Sequence, residues 1–179
     1  IESLEKVFVD HRPDAVLVFG DTDSTLAAAI AASKLGIVLA HVEAGLRSYR
    51  RSMPEEINRV LTDHASDILY APSPSAVNQL IKEGIRPEKI VLSGDVMLDA
   101  VRHYAEQAKR RTDILSRTGL ADKPYKLMTL HRKENVDDPG TLTNIFRGLE
   151  DLDDQIIFLV HPRTSKKIAE FKIPLPSCI

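Results

Sequence analysis

Residues 16–59, VLVFGDTDSTLAAAIAASKLGIVLAHVEAGLRSYRRSMPEEINR, decide how this chain folds. Val16-Leu17-Val18-Phe19 is a short apolar run of the kind a buried strand requires. Gly20-Asp21-Thr22 follows at once, a turn signal that also supplies helix-capping side chains. Thr25 to Leu35 is rich in Ala and Leu, which predicts a helix, and Gly36 stops it. Ile37-Val38-Leu39-Ala40 is the next apolar strand. The segment therefore reads as one β-α-β unit, with parallel strands that end at Asp21 and at His41-Val42-Glu43.

In open α/β sheets, ligands sit in the crevice beyond the carboxyl ends of the strands. Both ends here carry an acid, Asp21 and Glu43, followed by Arg47, Arg50, Arg51, Glu55, Glu56 and Arg59. Two readings of this mixture stand side by side. In one, carboxylates and guanidiniums line a site for a polar, anionic ligand. In the other, the loop is simply solvated and Asp21 caps the helix. Pro54 suits the first turn of a further helix, which sets Glu55 and Glu56 at its positive end. Glu55, Arg59 and Thr62 then share one face, while Ile57, Val60 and Leu61 are expected to face the core. Glu55 and Arg59 either point together into a cleft or form a surface ion pair. Glu56 reads as a capping or solvent-facing residue, and His41 as a structural one.

Upstream, Ile1, Leu4, Val7 and Phe8 form a helical stripe expected to pack against a sheet. Downstream, Ile68 to Ala71 reads as a third strand, and a helix from Ala76 to Glu83 is capped by Ser73 or Ser75 and ended by Gly84. Asp63 beside His64 supplies too few ligands for a metal, so no metal site is predicted. A fourth strand, Ile90 to Asp95, again ends in an acid, and a long helix from Leu98 to Arg117 follows. The polar stretch Gly119 to Lys126 is the expected domain boundary, giving domains 1–118 and 119–179. Beyond it the pattern restarts. Lys126 to Leu130 is a strand, His131 to Asn135 a polar turn, and Thr141 to Leu152 a helix. Ile156 to Val160 is another strand, ending at His161-Pro162-Arg163, and Ser165 to Phe171 a last helix.

Composition narrows the function. The 179 residues are 43% hydrophobic and 28% charged, ordinary values for a globular protein. A net charge of −2 argues against non-specific binding to nucleic acid or an anionic membrane. No apolar run reaches the ~18–20 residues of a membrane span. One cysteine, Cys178, has no partner within the chain for a disulfide, which fits a reducing, cytoplasmic setting. The chain begins inside a helix and closes at Pro174-Leu175-Pro176, so it reads as a fragment of a doubly wound protein.

Five motifs occur in order: Gly20-Asp21-Thr22, His41-Val42-Glu43-Ala44-Gly45-Leu46-Arg47, Pro54-Glu55-Glu56-Ile57-Asn58-Arg59, His131-Arg132-Lys133-Glu134-Asn135 and His161-Pro162-Arg163. Together they resemble the non-hydrolysing UDP-N-acetylglucosamine 2-epimerase family over nearly the whole chain. The resemblance implies a partial GT-B-like α/β fold, with two Rossmann-like domains whose parallel sheets face an interdomain cleft. It implies interconversion of UDP-GlcNAc and UDP-ManNAc by elimination of UDP and re-addition through a 2-acetamidoglucal, without a cofactor. Carried over residue by residue, it makes Asp21, Glu43, Glu55 and His131 catalytic. It puts Arg59 and His161 near the nucleotide sugar, and Arg132 and Glu134 in a second, activating UDP-GlcNAc site. Spacing alone would make His131 and His161 structural; the resemblance reverses that. It also implies a homodimer.

The chain departs from the family pattern in three ways. Asp23 and Ser24 replace part of a Thr-rich segment, and the loop from Arg47 to Pro54 is shorter. The family's amino-terminal phosphate-contacting loop and its carboxyl-terminal UDP-holding turn are expected to lie outside this sequence. Three alternatives accompany the epimerase reading: a GT-B glycosyltransferase, an inactive nucleotide-sugar-binding fragment, and an epimerase of a diacetamido uronic acid sugar.

Overall fold

Short apolar runs become strands, and the polar residues between them become caps. In the computed structural model, which describes residues 1–121, 123–153 and 155–179, the elements follow the chain in this order. They are α1 (Glu2–His11), β1 (Ala15–Phe19), α2 (Asp23–Lys34), β2 (Val38–Val42), α3 (Pro54–Ala65), β3 (Ile68–Ala71) and α4 (Pro74–Lys82). Then come β4 (Ile90–Leu92), α5 (Val96–Arg111), α6 (Ile114–Arg117), β5 (Tyr125–Met128), α7 (Lys133–Val136), α8 (Pro139–Arg147), β6 (Gln155–Phe158) and α9 (Pro162–Phe171). Asp122, within the polar stretch read as a boundary, and Asp154 lie outside the described residues. The chain divides into two compact units, Ile1–Ala108 and Lys109–Ile179.

In the first unit the sheet order is β1-β2-β3-β4, every neighbouring pair parallel. β1 and β2 run in register from Ala15↔Val38 to Phe19↔Val42, so their carboxyl ends emerge side by side. The Ala-rich α2 lies close to the sheet. Its Ala29 and Ala32 are buried with Val18 and Leu39, because a methyl group lets helix and strand approach. Phe8 of α1 packs half-buried against this cluster, and no residue of α1 is fully buried. A second cluster joins Ala44, Leu69, Ala71, Ala76 and Leu80 beneath α4.

The second unit pairs β5 with β6 in parallel, from Tyr125↔Gln155 to Met128↔Phe158. Val136, Leu142, Phe146 and Ile173 form its core, with the Phe146 and Phe158 rings edge to face at 6.0 Å. Burying a ring such as Phe146 stabilises the fold by about 2–3 kcal/mol.

Caps explain the helix starts. Thr22 accepts the Thr25 N–H at the head of α2, and Ser73 accepts the Ala76 N–H at the head of α4. Asp138 and His161 do the same for α8 and α9. In α3, α4, α8 and α9 a proline sits in the first turn, where its missing N–H costs nothing.

Several expectations need correction. The long helix ends at Arg111 rather than Arg117, because Thr112 Oγ1 accepts the Ile114 N–H at 3.1 Å and restarts the chain as α6. The expected turn after β5 contains the short helix α7. The helix expected to reach Leu152 ends at Arg147, with Gly148 as its C-cap. The largest departure is α3. Its buried residues are Glu56, Asn58, Thr62 and Asp63, while Ile57 and Leu61, expected in the core, are exposed. What lies beneath α3 is polar, and buried polar groups require polar partners.

Candidate active site

Register places the acids. Phe19 faces Val42, so Gly20-Asp21 and Glu43 leave the sheet from adjacent strand ends. A Cβ built on Gly20 would stand 3.6 Å from Glu43 Oε2, so the Glu43 carboxylate lies against the turn that carries Asp21. Glu43 itself has a positive φ of 73°, a conformation that costs a non-glycine residue about 1–2 kcal/mol. Such a conformation persists only where the surrounding structure holds it, here beside the turn that carries Asp21.

Asp21 does not cap α2; Thr22 does. The Asp21 carboxylate is therefore free to pair with Arg59 Nη2, and this settles which partner Arg59 takes. The ion pair expected between Glu55 and Arg59 gives way to one between elements. Asn58, which the sequence did not single out, donates from Nδ2 to the Asp21 carbonyl at 3.0 Å and to Asp23 Oδ1 at 2.9 Å. Glu55 is exposed in the first turn of α3, one helical turn before Arg59. The structure thus gathers Asp21, Glu43 and Arg59 and sets Glu55 on the helix that supplies the arginine.

Glu56 is buried, against expectation, and orders the loop before α3. Its Oε2 accepts the Ser48 N–H at 2.7 Å and the Ser48 hydroxyl at 2.8 Å, and its Oε1 accepts the Tyr49 N–H at 3.1 Å. Desolvation pushes this carboxyl up, but those hydrogen bonds and the Arg47 charge outweigh it and hold it below the usual range.

Beneath the acids runs a charged network. His41 Nδ1 meets Asp63 Oδ1 at 2.6 Å, and both side chains are fully buried. Asp63 Oδ2 accepts the Gly45 N–H at 3.0 Å and pairs with Arg47 Nη1 at 2.7 Å. Arg47 in turn grips Glu83 through Nε at 2.8 Å and Nη2 at 2.6 Å, and His64 joins Glu83 at 3.2 Å. Burial pushes Glu83 up, but the Arg47, Gln79 and His64 hydrogen bonds with the Arg47 charge bring it down to about 2. Burial likewise lowers Arg47, and its two carboxylate partners more than reverse this. Asp63 and His64 therefore serve different partners.

In the second unit, His131 and His161 follow β5 and β6 at matching positions, their ring centroids 5.7 Å apart. With Thr129, Phe158, Leu159, Val160 and Pro162 they line a cavity of about 530 Å³, within the range that accepts a small ligand. His161 Nδ1 accepts the Arg163 N–H at 3.2 Å, which leaves the ring proton on Nε2. Arg163 braces Asp137 through two bonds of 3.0 and 2.5 Å, and these hold the Asp137 carboxyl below its usual range. Arg132 and Glu134 are exposed at the start of α7.

The sequence matches the family model for UDP-N-acetylglucosamine 2-epimerase over residues 1–176. It is 47% identical over 176 residues to UDP-N-acetylglucosamine 2-epimerase of Methanocaldococcus jannaschii, a match covering 95% of this chain and 48% of that protein. It is 44% identical over 177 residues to UDP-2,3-diacetamido-2,3-dideoxy-D-glucuronate 2-epimerase of Pseudomonas aeruginosa, covering 96% of this chain and 49% of that protein. The crystal structure of M. jannaschii UDP-GlcNAc 2-epimerase in complex with UDP-GlcNAc and UDP superposes with a TM-score of 0.88 at 42% identity. That match covers 99% of this chain and 54% of the crystallised one, and it bears out the GT-B-like α/β class with parallel sheets expected from the sequence. The chain spans about half the length of the curated relatives it matches.

Proposed function

We propose, from the premise that this chain belongs to the UDP-N-acetylglucosamine 2-epimerase family, that it carries the acid–base half of an enzyme interconverting UDP-GlcNAc and UDP-ManNAc. The observation that carries this reading is the Asp21 carboxylate, held by Arg59 at the carboxyl end of β1 with Glu43 against the same turn. The C2 proton of an acetamido sugar is not acidic, so its removal requires a positioned base. Asp21 takes this proton, the C2–H electron pair becomes the C1–C2 double bond, and the C1–O bond breaks with its pair leaving on UDP. UDP then re-adds to the 2-acetamidoglucal while a proton enters C2 from the opposite face, delivered by Glu55. Glu43 orients and charges the site. His131 and His161 meet the negative charge that grows on the departing diphosphate, His161 through its Nε2–H. Arg59 adds a guanidinium to the same substrate, and Arg132 with Glu134 contributes to a second nucleotide-sugar site.

The remaining parts of the reading stand with it as proposals. Domains 1–118 and 119–179 carry a four-stranded and a two-stranded parallel sheet respectively, with polar residues following the strand ends. The enzyme works as a homodimer in the cytoplasm, on a nucleotide sugar and without a cofactor. Among the described residues no helix is long and apolar enough to cross a membrane. The Pseudomonas relative favours a second substrate of the same chemistry, a UDP-diacetamido uronic acid.

Proton NMR of the chain with each UDP-sugar in heavy water tests the reading. The C2 proton signal should vanish as the 2-epimer appears, with no acceptor added. Epimer formed with the C2 proton retained would overturn the elimination mechanism. Absence of both exchange and epimer with either sugar would overturn the assignment of activity to this chain.

A further inference from the structure

Three successive carbonyls at the end of β1 are each held by a side chain from a different element. Thr25 Oγ1 of α2 donates to the Phe19 carbonyl at 2.7 Å, His41 Nε2 of β2 to Gly20 at 2.8 Å, and Asn58 Nδ2 of α3 to Asp21 at 3.0 Å. Carbonyls at a strand end otherwise turn to water, so this triple grip fixes a turn that would be mobile. Of the three donors, His41 reaches furthest into the molecule. The Gly20 carbonyl can only accept, which puts a proton on Nε2, and Nδ1 donates to Asp63 Oδ1 at 2.6 Å. Asp63 is itself anchored by Gly45 and Arg47.

A buried ionic network contributes little net stability compared with an apolar core of the same volume. Its best-supported use is to fix one geometry. We propose that His41 is a positioning residue for Asp21. Its ring, oriented by Asp63, locks the Gly20 carbonyl and so the direction of the adjacent carboxylate, which Arg59 holds from α3. This rests on the reading of Asp21 as the base at C2. A base displaced by even ~1 Å loses on the order of 10²-fold in rate.

Two variants separate positioning from packing. His41→Gln keeps an amide donor where Nε2 stood and can still reach Gly20. His41→Asn keeps a donor where Nδ1 stood and reaches only Asp63. In His41→Asn, ¹⁵N relaxation should show the order parameters of residues 20–22 falling from about 0.85 to below about 0.6, with β2 unchanged, while His41→Gln stays rigid. The rate of C2 proton exchange should fall about 10²-fold in His41→Asn at a KM within about 2-fold, and His41→Gln should recover most of it. Equal loss in both variants, or loosening spread along β2, would assign His41 to packing and overturn the proposal. Long-range ¹H–¹⁵N correlation on the unaltered chain needs no variant. Protons on both His41 ring nitrogens are expected, and a bare Nε2 would sink the idea. The relaxation and ring measurements stand even if the chain epimerises nothing, so failure of the activity and failure of the positioning role are distinguishable.

Discussion

At the residue scale, the motif His41 to Arg47 is a set of separate physical demands placed side by side. His41 and Asp63 share a buried bond, Glu43 takes a positive φ, Ala44 fills the core, and Arg47 bridges Asp63 and Glu83. Gly45 is there for want of room. A Cβ at Gly45 would overlap the Ala76 carbonyl oxygen and come within 2.9 Å of Leu80 Cγ, and its φ is +82°. Backbone cannot step aside as a flexible side chain can. Gly45→Ala should therefore cost about 2–4 kcal/mol in urea unfolding. Gly36 also has a positive φ, but a Cβ there meets nothing within 4 Å. Gly36→Ala should cost only about 1 kcal/mol. Equal costs for the two would show that α4 does not press on Gly45. The glycine was visible in the sequence, but its reason was not, because the obstacle lies on a helix far along the chain.

At the element scale, what the sequence disclosed and what it hid divide by range. The strands, the helix opened by Pro54 and the caps at Thr22 and Ser73 depend on neighbours within a few residues and were legible from apolar runs and N-cap chemistry. The prolines that open α4, α8 and α9 and the caps at Asp138 and His161 were not read. The break at Thr112 was missed because a run of helix-favouring residues masks a local side-chain bond. The orientation of α3 was misread for a deeper reason. Periodicity assigns apolar residues to the core, yet the surface beneath α3 is the Asp21 turn and the His41–Asp63 network, so its polar face turns inward. The partners that would have revealed this are remote in sequence: Asn58 and Arg59 with Asp21, and Asp63 with His41. The motifs gave the acids, and only the fold supplied what holds them. Asn58→Ala should therefore destabilise the chain by about 1–2 kcal/mol, since it removes a buried amide that ties α3 to the Asp21 carbonyl and to Asp23 Oδ1. Ile57→Ser, on the exposed face, should change stability by less than about 0.5 kcal/mol. The reverse order in thermal unfolding would mean that α3 buries its apolar side after all.

For the whole molecule, the charges buried beneath the site make folding depend on pH. Glu83 lies at about 2 when folded, against an ordinary 4.5, because Arg47 grips it through two nitrogens. Its folded value is depressed, so the unfolded chain binds the proton more readily. The stabilisation is then fully present above about pH 4.5 and is lost as pH falls toward 2. Glu56 is shifted in the same direction by the Ser48 and Tyr49 bonds and adds to the same loss. Part of the Glu83 carboxylate is open to water, so screening reduces its share to about 1–2 kcal/mol. Stability from urea unfolding should thus decline between pH 4.5 and 2, and Glu83→Gln should flatten that decline by this amount while costing stability at pH 7. Above pH 5 the variant and the unaltered chain should run parallel, because no Glu83 proton is exchanged there. A variant that loses stability with acid as steeply as the unaltered chain would show that Arg47 is held by Asp63 alone, and that the network beneath the candidate acids ends there.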